Sequence, residues 1–474
     1  MRHALRPRLQ PQRRRHLSNF QLSSFNFQLS TLNYNEFPQS ALDISLSLGA
    51  QAARIDYLWM DQTTLQSTDL TLTQLQRSSS SALQMTLWVD GRVGSYCTNR
   101  LEETELRAFI ARAVANTRLI NADPDRTLPD PSRYYAVRPE ATPSLGNYDP
   151  SLADLDIECK KSILMAMPQT LLGTDSRIIN VTANWNDRIG GRYSIDSQGW
   201  EGLQRVSGLE IDCQVACRVP GTDRKPSDDW YEVAWASRNI TPQLAVATAR
   251  NAMRLVLPKL EPDAGPVPAG RYKVLMRPRW VCRVVDPLIN AMMGTALYMQ
   301  RSFFLGKLGE RVVSPLLTLT DRPHRLGAMG ASWYDFEGVA TGDRDLIRDG
   351  VLSTWLISTF NGHRLHMEPT IGEVMVLTMS PGSKPVADIV SQAGTFLDIT
   401  GFLGGNTNDV TGDFSFGVEG LLYRNGEPVQ AVSGINITGN LLDLWQHVLA
   451  VSSDREEVND AFLSAVLFDD VSVS

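Results

Sequence analysis

GKLGERVVSPLLTLTDRP, Gly306 to Pro323, is the stretch on which the reading of this chain turns. Just upstream, the strand YKVLM (Tyr272–Met276) leads to Asp286-Pro287, a capping residue followed by proline at a first helical position, which predicts a helix reaching about Phe304. Downstream the chain reads mostly as β. Strands are expected at Val351–Ser358, Glu373–Met379 and Phe396–Thr400, followed by a hairpin whose turn is Asn425-Gly426. One late helix, Leu441 to Val451, precedes a final strand near Ala465 to Val473.

Taken with FEGVATGDRDLIRDGVL (Phe336–Leu352) and VTGDFSFGVEG (Val410–Gly420), this stretch resembles the TldD/PmbA family. In that family the metal-bearing, TldD-type subunit carries an H-E-x-x-x-H motif on the helix before the segment matching Lys307 to Val313. Here the slot reads VCRVVDPLINA, Val281 to Ala291, without histidine or glutamate. A zinc hydrolase needs about three N, O or S ligands and an open position for water, so this helix cannot build such a site alone. The family's metal subunit also takes a cysteine from near its C-terminus. The matching region here is DAFLSAV (Asp460–Val466), and no cysteine follows Cys282.

The resemblance therefore implies the PmbA-like (TldE-like), metal-free kind of subunit. It implies no catalytic residue and no metal on this chain, zinc on a TldD-like partner, and a heteromer that cleaves unfolded or small peptides held as an added strand. Homodimers in isolation are compatible with it. The run GGNTNDVTGDFS matches a family-specific stretch, and its small and polar side chains would let another backbone approach. Gly405, Asn406, Thr411, Gly412, Asp413 and Ser415 are on that ground the candidate substrate-binding residues.

Composition narrows the other classes. Of 474 residues, 43% are hydrophobic, enough for two or three domain cores. No apolar run approaches the roughly 18 residues of a membrane helix. Five cysteines at irregular spacing give neither a disulfide framework nor a metal knuckle, and a reducing cytoplasm is the simplest setting. Cys213 and Cys217 lie on an alternating segment that would hold their Cα atoms about 13 Å apart, too far for a bridge. The net charge of −7 includes six arginines and no acid within Met1 to Asn35, leaving −13 on the body. That balance argues against a duplex-binding surface.

Met1–Asn35 also repeats FQLSS (Phe20–Ser24) as FQLST (Phe27–Thr31), and reads as a disordered leader without function in preference to a transit-like segment. Two Pro-rich breaks divide the rest. An N-terminal α/β module (36–122) has a hairpin turning at Asp90-Gly91, followed by a helix with Leu106, Phe109, Ile110, Ala113, Val114 and Thr117 on one face. A linker (123–145) precedes a mixed middle module (146–257), in which Thr241-Pro242 caps a helix ending near Leu257. A second linker (258–270) introduces the β-rich C-terminal domain (271–474). The fold class is thus α+β.

Other motifs are weak. His363 and His366 with Glu368 could share a helical face, but at a polar helix end this is more often solvated surface than a metal site. His324 and His447 read as structural. Gly401, Gly404 and Gly405 read as turn residues, since no phosphate-binding pattern surrounds them. An independent hydrolase and a regulator of the gyrase-modulator kind remain the alternatives to a peptidase subunit.

Overall fold

A computed structural model of the chain describes residues 36–236, 239–261 and 264–474, so the expected leader, Met1 to Asn35, lies outside the described residues. Helix α1 (Glu36–Ser47) is followed by a meander of β1 (Ala52–Thr68), β2 (Thr71–Val89) and β3 (Arg92–Thr98). Asp90 and Gly91 both take positive φ, 50° and 71°, as a two-residue primed turn requires. Helix α2 (Glu103–Thr117) buries Leu106, Ile110, Ala113, Val114 and Thr117 of the predicted stripe, while Phe109 is half-buried.

Helix α3 (Ile157–Leu171) leads to β4 (Ile178–Asp196), β5 (Glu201–Cys217), β6 (Ser227–Ala234) and α4 (Pro242–Val256). The Thr241 hydroxyl accepts the N–H of Leu244, capping α4 as expected. These strands and the meander form one antiparallel sheet in the order β3-β2-β1-β4-β5-β6. Its central seam joins β1 to β4 from Arg54↔Asp196 to Thr68↔Thr182. Residues 36–122 and 146–257 thus complete a common sheet. Helices α3 and α4 cover one face over Leu65, Trp185, Ile211, Ala249 and Val256, and the alternation of β5 places Cys213 and Cys217 in that core as free thiols.

Strand β7 (Gly270–Met276) opens the C-terminal half, followed by α5 (Pro278–Met292) and α6 (Gly294–Tyr298). Here the structure corrects the sequence reading. Pro278, not Pro287, takes the first helical position, and Pro287 sits inside α5. The buried stripe of Val281, Val284, Val285 and Leu288 begins before Asp286, so packing fixes the start. The helix ends at Met292 rather than continuing to Phe304.

Short strands β8 (Leu319–Asp321), β9 (Arg344–Arg348) and β10 (Val351–Leu352), helix α7 (Thr359–Leu365), strand β11 (Leu377–Met379) and helix α8 (Val386–Gln392) follow. The chain then makes β12 (Thr395–Thr407), β13 (Asp413–Arg424) and β14 (Glu427–Asn440), a short α9 (Leu441–Gln446), β15 (Val448–Val458) and β16 (Ala461–Val473). The expected late helix to Val451 is cut short because β15 pairs with β16, which satisfies its backbone as strand. β7 pairs with β12 on one side and β16 on the other, so β16-β14-β13-β12-β7 close on themselves around a core that includes Val274, Val418 and Ile437.

The Pro-rich stretch 123–145 is strapped across both halves. Tyr134 stacks on Trp200 and donates its hydroxyl to Asp196 at 2.6 Å, while Tyr134 and Val339 form a backbone bridge. His363 meets the Asp125 carbonyl at 2.9 Å, and Arg364 pairs with Asp123 and Asp125. Beside the strap, Arg54 of β1 donates to the Glu337 carbonyl and Arg192 of β4 to that of Phe336, each at 2.6 Å. The loop 334–340 is therefore the knuckle on which the first sheet docks.

Candidate functional site

The two segments that match the ligand-bearing places of the family's metal subunit, α5 and Asp460–Val466, are neighbours in space: α5 packs against β16, and Asp460 sits at the β15–β16 turn. The Cys282 thiol donates to the Arg279 carbonyl at 3.0 Å, and burial pushes it up to about 11. Burial also raises the Asp286 carboxyl, and the charge of Asp460 raises it further. Arg283, on the same helix, lies over the Phe402 ring. On α5 the side chains of the kind that hold zinc are Cys282 and Asp286, fewer than the roughly three that a zinc site needs. Among the described residues, no group of three or more His, Cys, Asp or Glu side chains is placed to hold a metal.

What this corner does possess is a cleft. Two adjoining hollows of about 400 and 520 Å³ share Val233, Met329 and Asn459. The smaller reaches over β5 to Asp460. The larger follows β6 from Trp230 to Trp235, with Glu456 and Glu457 opposite. Arg279, in the first turn of α5, lies 3.9 Å from the ring centres of both Trp230 and Tyr231 and donates to the Tyr231 carbonyl at 2.7 Å. The first sheet and α5 thus meet through one guanidinium. Sequence reasoning missed Arg279; its only local signal is Pro278, which fixes the helix start and so puts residue 279 in the first turn.

The predicted substrate-binding residues lie on the β12–β13 hairpin. Asn406 faces Ser415 and Gly405 faces Phe416 across the pair. Gly404 and Gly405 pair with Gly417 and Phe416 within β12, just past a register shift at Leu403, and are not in a turn as read from sequence. Gly405 has φ of +113°, and a Cβ there would stand 2.0 Å from the Ser415 carbonyl oxygen. At the tip, Asn408 Oδ1 accepts from Val410 and Thr411, Thr411 donates to Asp413 at 2.7 Å, and Asn440 donates to Asp413 and to the Thr411 carbonyl. These bonds hold the Asp413 carboxyl below its usual range. Gly412, at φ of +80°, is buried near Phe303. β13 lies between β12 and β14, so Asp413 and Ser415 are on an inner strand. β7 pairs only with Leu397–Ile399 of β12, and among the described residues the far side of Gly405 and Asn406 has no strand partner.

The remaining histidines are structural in their contacts. His324 meets Thr341 at 3.0 Å and lies against Trp333, and His447 meets the Asp443 carbonyl. His366 ends α7 in the left-handed region while His363 is bound to the strap, so the pair is not assembled into a metal site.

Residues 269–474 match the family model of the PmbA/TldA metallopeptidase C-terminal domain. A metalloprotease PmbA homolog from Haemophilus influenzae is 26% identical over 401 residues, covering 84% of this chain and 86% of that protein. A crystal structure from Bacteroides thetaiotaomicron, described as a candidate modulator of DNA gyrase, superposes with a TM-score of 0.88 at 35% identity, over 93% of this chain and 98% of its own. The chain belongs to the TldD/PmbA family. TldE from Thermococcus kodakarensis shares the TldD/PmbA fold at a TM-score of 0.78 and 16% identity, covering 92% of this chain and 99% of that one. The α+β class, with a β-rich C-terminal domain of the TldD/PmbA type, is as the sequence implied. Among the described residues no helix is long and apolar enough to cross a membrane.

Proposed function

We propose that this chain is the non-catalytic subunit of a two-chain TldD/TldE-type peptidase that degrades unfolded or small peptides in the cytoplasm, with the catalytic zinc on a TldD-like partner. The observation that carries this reading is the donor set at α5: the segments standing where the metal subunit has its ligands come together, yet α5 has no histidine or glutamate and, among the described residues, no three His, Cys, Asp or Glu side chains converge. This chain would then contribute walls and backbone to a shared cavity. The outer edge of β12 at Gly405 and Asn406 offers N–H and C=O groups to an extended peptide, and main-chain bonding of that kind accepts many sequences while excluding folded proteins. Thr411, Gly412 and Asp413 hold the tip of that hairpin, and Ser415 backs the edge from the strand opposite Asn406.

The test is reconstitution. Dialysed alone, the chain should carry less than one zinc per molecule by elemental analysis and cleave nothing; mixed with a TldD-type subunit, it should produce chelator-sensitive cleavage of unfolded peptides that neither chain shows alone. Stoichiometric zinc on this chain, or an inactive mixture in which the two chains do associate, refutes the reading. Gyrase regulation is the second reading, motivated by the description of the Bacteroides thetaiotaomicron structure. A direct effect on purified gyrase together with an inactive mixture would favour it.

A further inference from the structure

The Pro-rich strap leaves one charge unmatched. Its short turn, Pro131–Arg133, is capped by Asp130, whose Oδ1 accepts the N–H and the hydroxyl of Ser132 at 2.9 and 2.6 Å. The turn delivers Arg133 to the C-terminal half, where Nη2 donates to the Thr370 carbonyl. The other terminal nitrogen, Nη1, is buried without a hydrogen-bond partner, and among the described residues no carboxylate forms an ion pair with this guanidinium. Asp130 is within electrostatic reach of it, but is exposed and turned to Ser132. A buried charged donor left unpaired is costly and rare, so this one calls for an occupant.

Arg133 lines a hollow of about 450 Å³ together with Arg344, Thr354, Thr370, Val339 and Ala340. Arg344 adds no net charge there, because its Nε and Nη2 donate to Oδ2 of Asp321, fully buried, at 3.2 and 3.1 Å. Its Nη1 donates to the Ile371 carbonyl at 2.8 Å. The threonine hydroxyls are spent as donors, both on the Trp355 carbonyl, at 3.2 Å from Thr354 and 2.7 Å from Thr370. Among the described lining residues the hollow thus holds one positive charge in excess, with guanidinium N–H groups to give and an apolar wall of Val339 and Ala340. Its volume is roughly fifteen times the share of one water, about 30 Å³, and falls among small-molecule sites of about 300–1,000 Å³. Ala340 is exposed, so the hollow opens to solvent.

We propose that this hollow binds a monocarboxylate with a short apolar body, the carboxylate on Arg133 and the body against Val339 and Ala340. Charge selects this class. One carboxylate matches the one unmatched guanidinium and takes its planar N–H groups as paired, charge-assisted hydrogen bonds. A phosphate dianion would exceed the charge available, and a neutral or cationic ligand would leave Arg133 unpaired beside it. Two sources carry the same chemistry, the carboxy terminus of a short peptide and a free short-chain acid. Binding belongs to this chain alone, so the inference does not rest on the reading as a peptidase subunit.

Isothermal titration of the full chain, without any partner, tests this with N-acetylalanine, its carboxamide, butyrate and inorganic phosphate. At least one of the two acids should bind, and the carboxamide should not. Tighter binding of N-acetylalanine assigns the hollow to peptide termini, and equal or tighter binding of butyrate assigns it to free acids; both uphold the proposal. Arg133→Met should weaken the bound acid at least tenfold. So should Ala340→Trp, which narrows the hollow from its exposed wall and leaves Arg133 in place. Thermal midpoints separate binding from a purely structural role of the strap: the acid should raise the midpoint of the unaltered chain and leave that of Arg133→Met where it was. No binding of either acid overturns the proposal. So does a carboxamide or phosphate that binds as tightly, and so does undiminished binding by Arg133→Met.

Discussion

Replacing Asp335 by asparagine should flatten the pH dependence of this protein's stability. Asp335 is 1% exposed, at the knuckle where the first sheet docks. Its Oδ1 accepts the N–H groups of Glu337 and Val339, both at 2.9 Å, while Oδ2 is buried without a partner. Burial, and then the nearby Glu337 and Glu373 carboxylates, push its carboxyl up to about 7 against the opposing backbone bonds. Arg344, paired with Asp321, lies within electrostatic reach of it. The unfolded chain titrates this group near 3.8, so the folded state holds a proton that the unfolded state has released. The resulting stabilisation is full below the unfolded value, falls as pH rises, and is gone above the folded value near 7. Between pH 5 and pH 8 about two pH units of that difference are lost, or roughly 2–3 kcal/mol at about 1.4 kcal/mol per unit. Asparagine keeps the Oδ1 acceptor and cannot ionise. Urea titrations of both proteins at pH 5 and pH 8 should therefore show the wild type losing roughly that much more than D335N, with D335N the more stable at pH 8. Raised carboxyls that do not interact with Asp335, Asp460 among them, titrate in both proteins and cancel in the comparison. Parallel profiles, or a D335N protein much weaker at pH 8, would refute the argument.

Three further outcomes follow from the geometry. Arg277→Met strands Asp398, which is 2% exposed and whose Oδ2 accepts two guanidinium N–H groups at 2.8 and 3.0 Å, and should cost about 3–5 kcal/mol in urea unfolding. Gly405→Val forces a side chain into φ of +113° and against the Ser415 carbonyl, and should lower stability by at least about 2 kcal/mol, seen as a reduced thermal midpoint. The pair His363→Ala/His366→Ala should leave bound metal unchanged by elemental analysis and cost only about 1 kcal/mol through the strap contact to Asp125.

Much of the fold was legible where a few adjacent residues decide it. Asp90-Gly91 and Asn425-Gly426 turn as read, Thr241-Pro242 caps α4, and the α2 stripe is buried. What escaped depends on distant partners. The true start of α5 is set by what Val281 packs against, and β15 is strand because β16 lies beside it. The ring closed by β7 cannot be seen in a seven-residue run that resembles any buried strand. For the site, resemblance alone marked α5 and Asp460–Val466. Their contact, the cleft along β6 and the Arg279 guanidinium between two rings emerge only from the tertiary fold.

The seam between β1 and β4 also has a consequence in time. β1 ends at Thr68 and its partner begins at Ile178, about 110 residues later. At about 5–20 residues per second, a nascent chain would wait roughly 5–20 s between finishing the first strand and starting the one that covers it. During that interval the meander shows unpaired backbone on β1 as well as on β2, and synthesis of this protein passes through a form more adhesive than the finished one. Slowing translation between residues 123 and 177 should therefore increase aggregation of the newly made chain without altering the stability of molecules that complete folding.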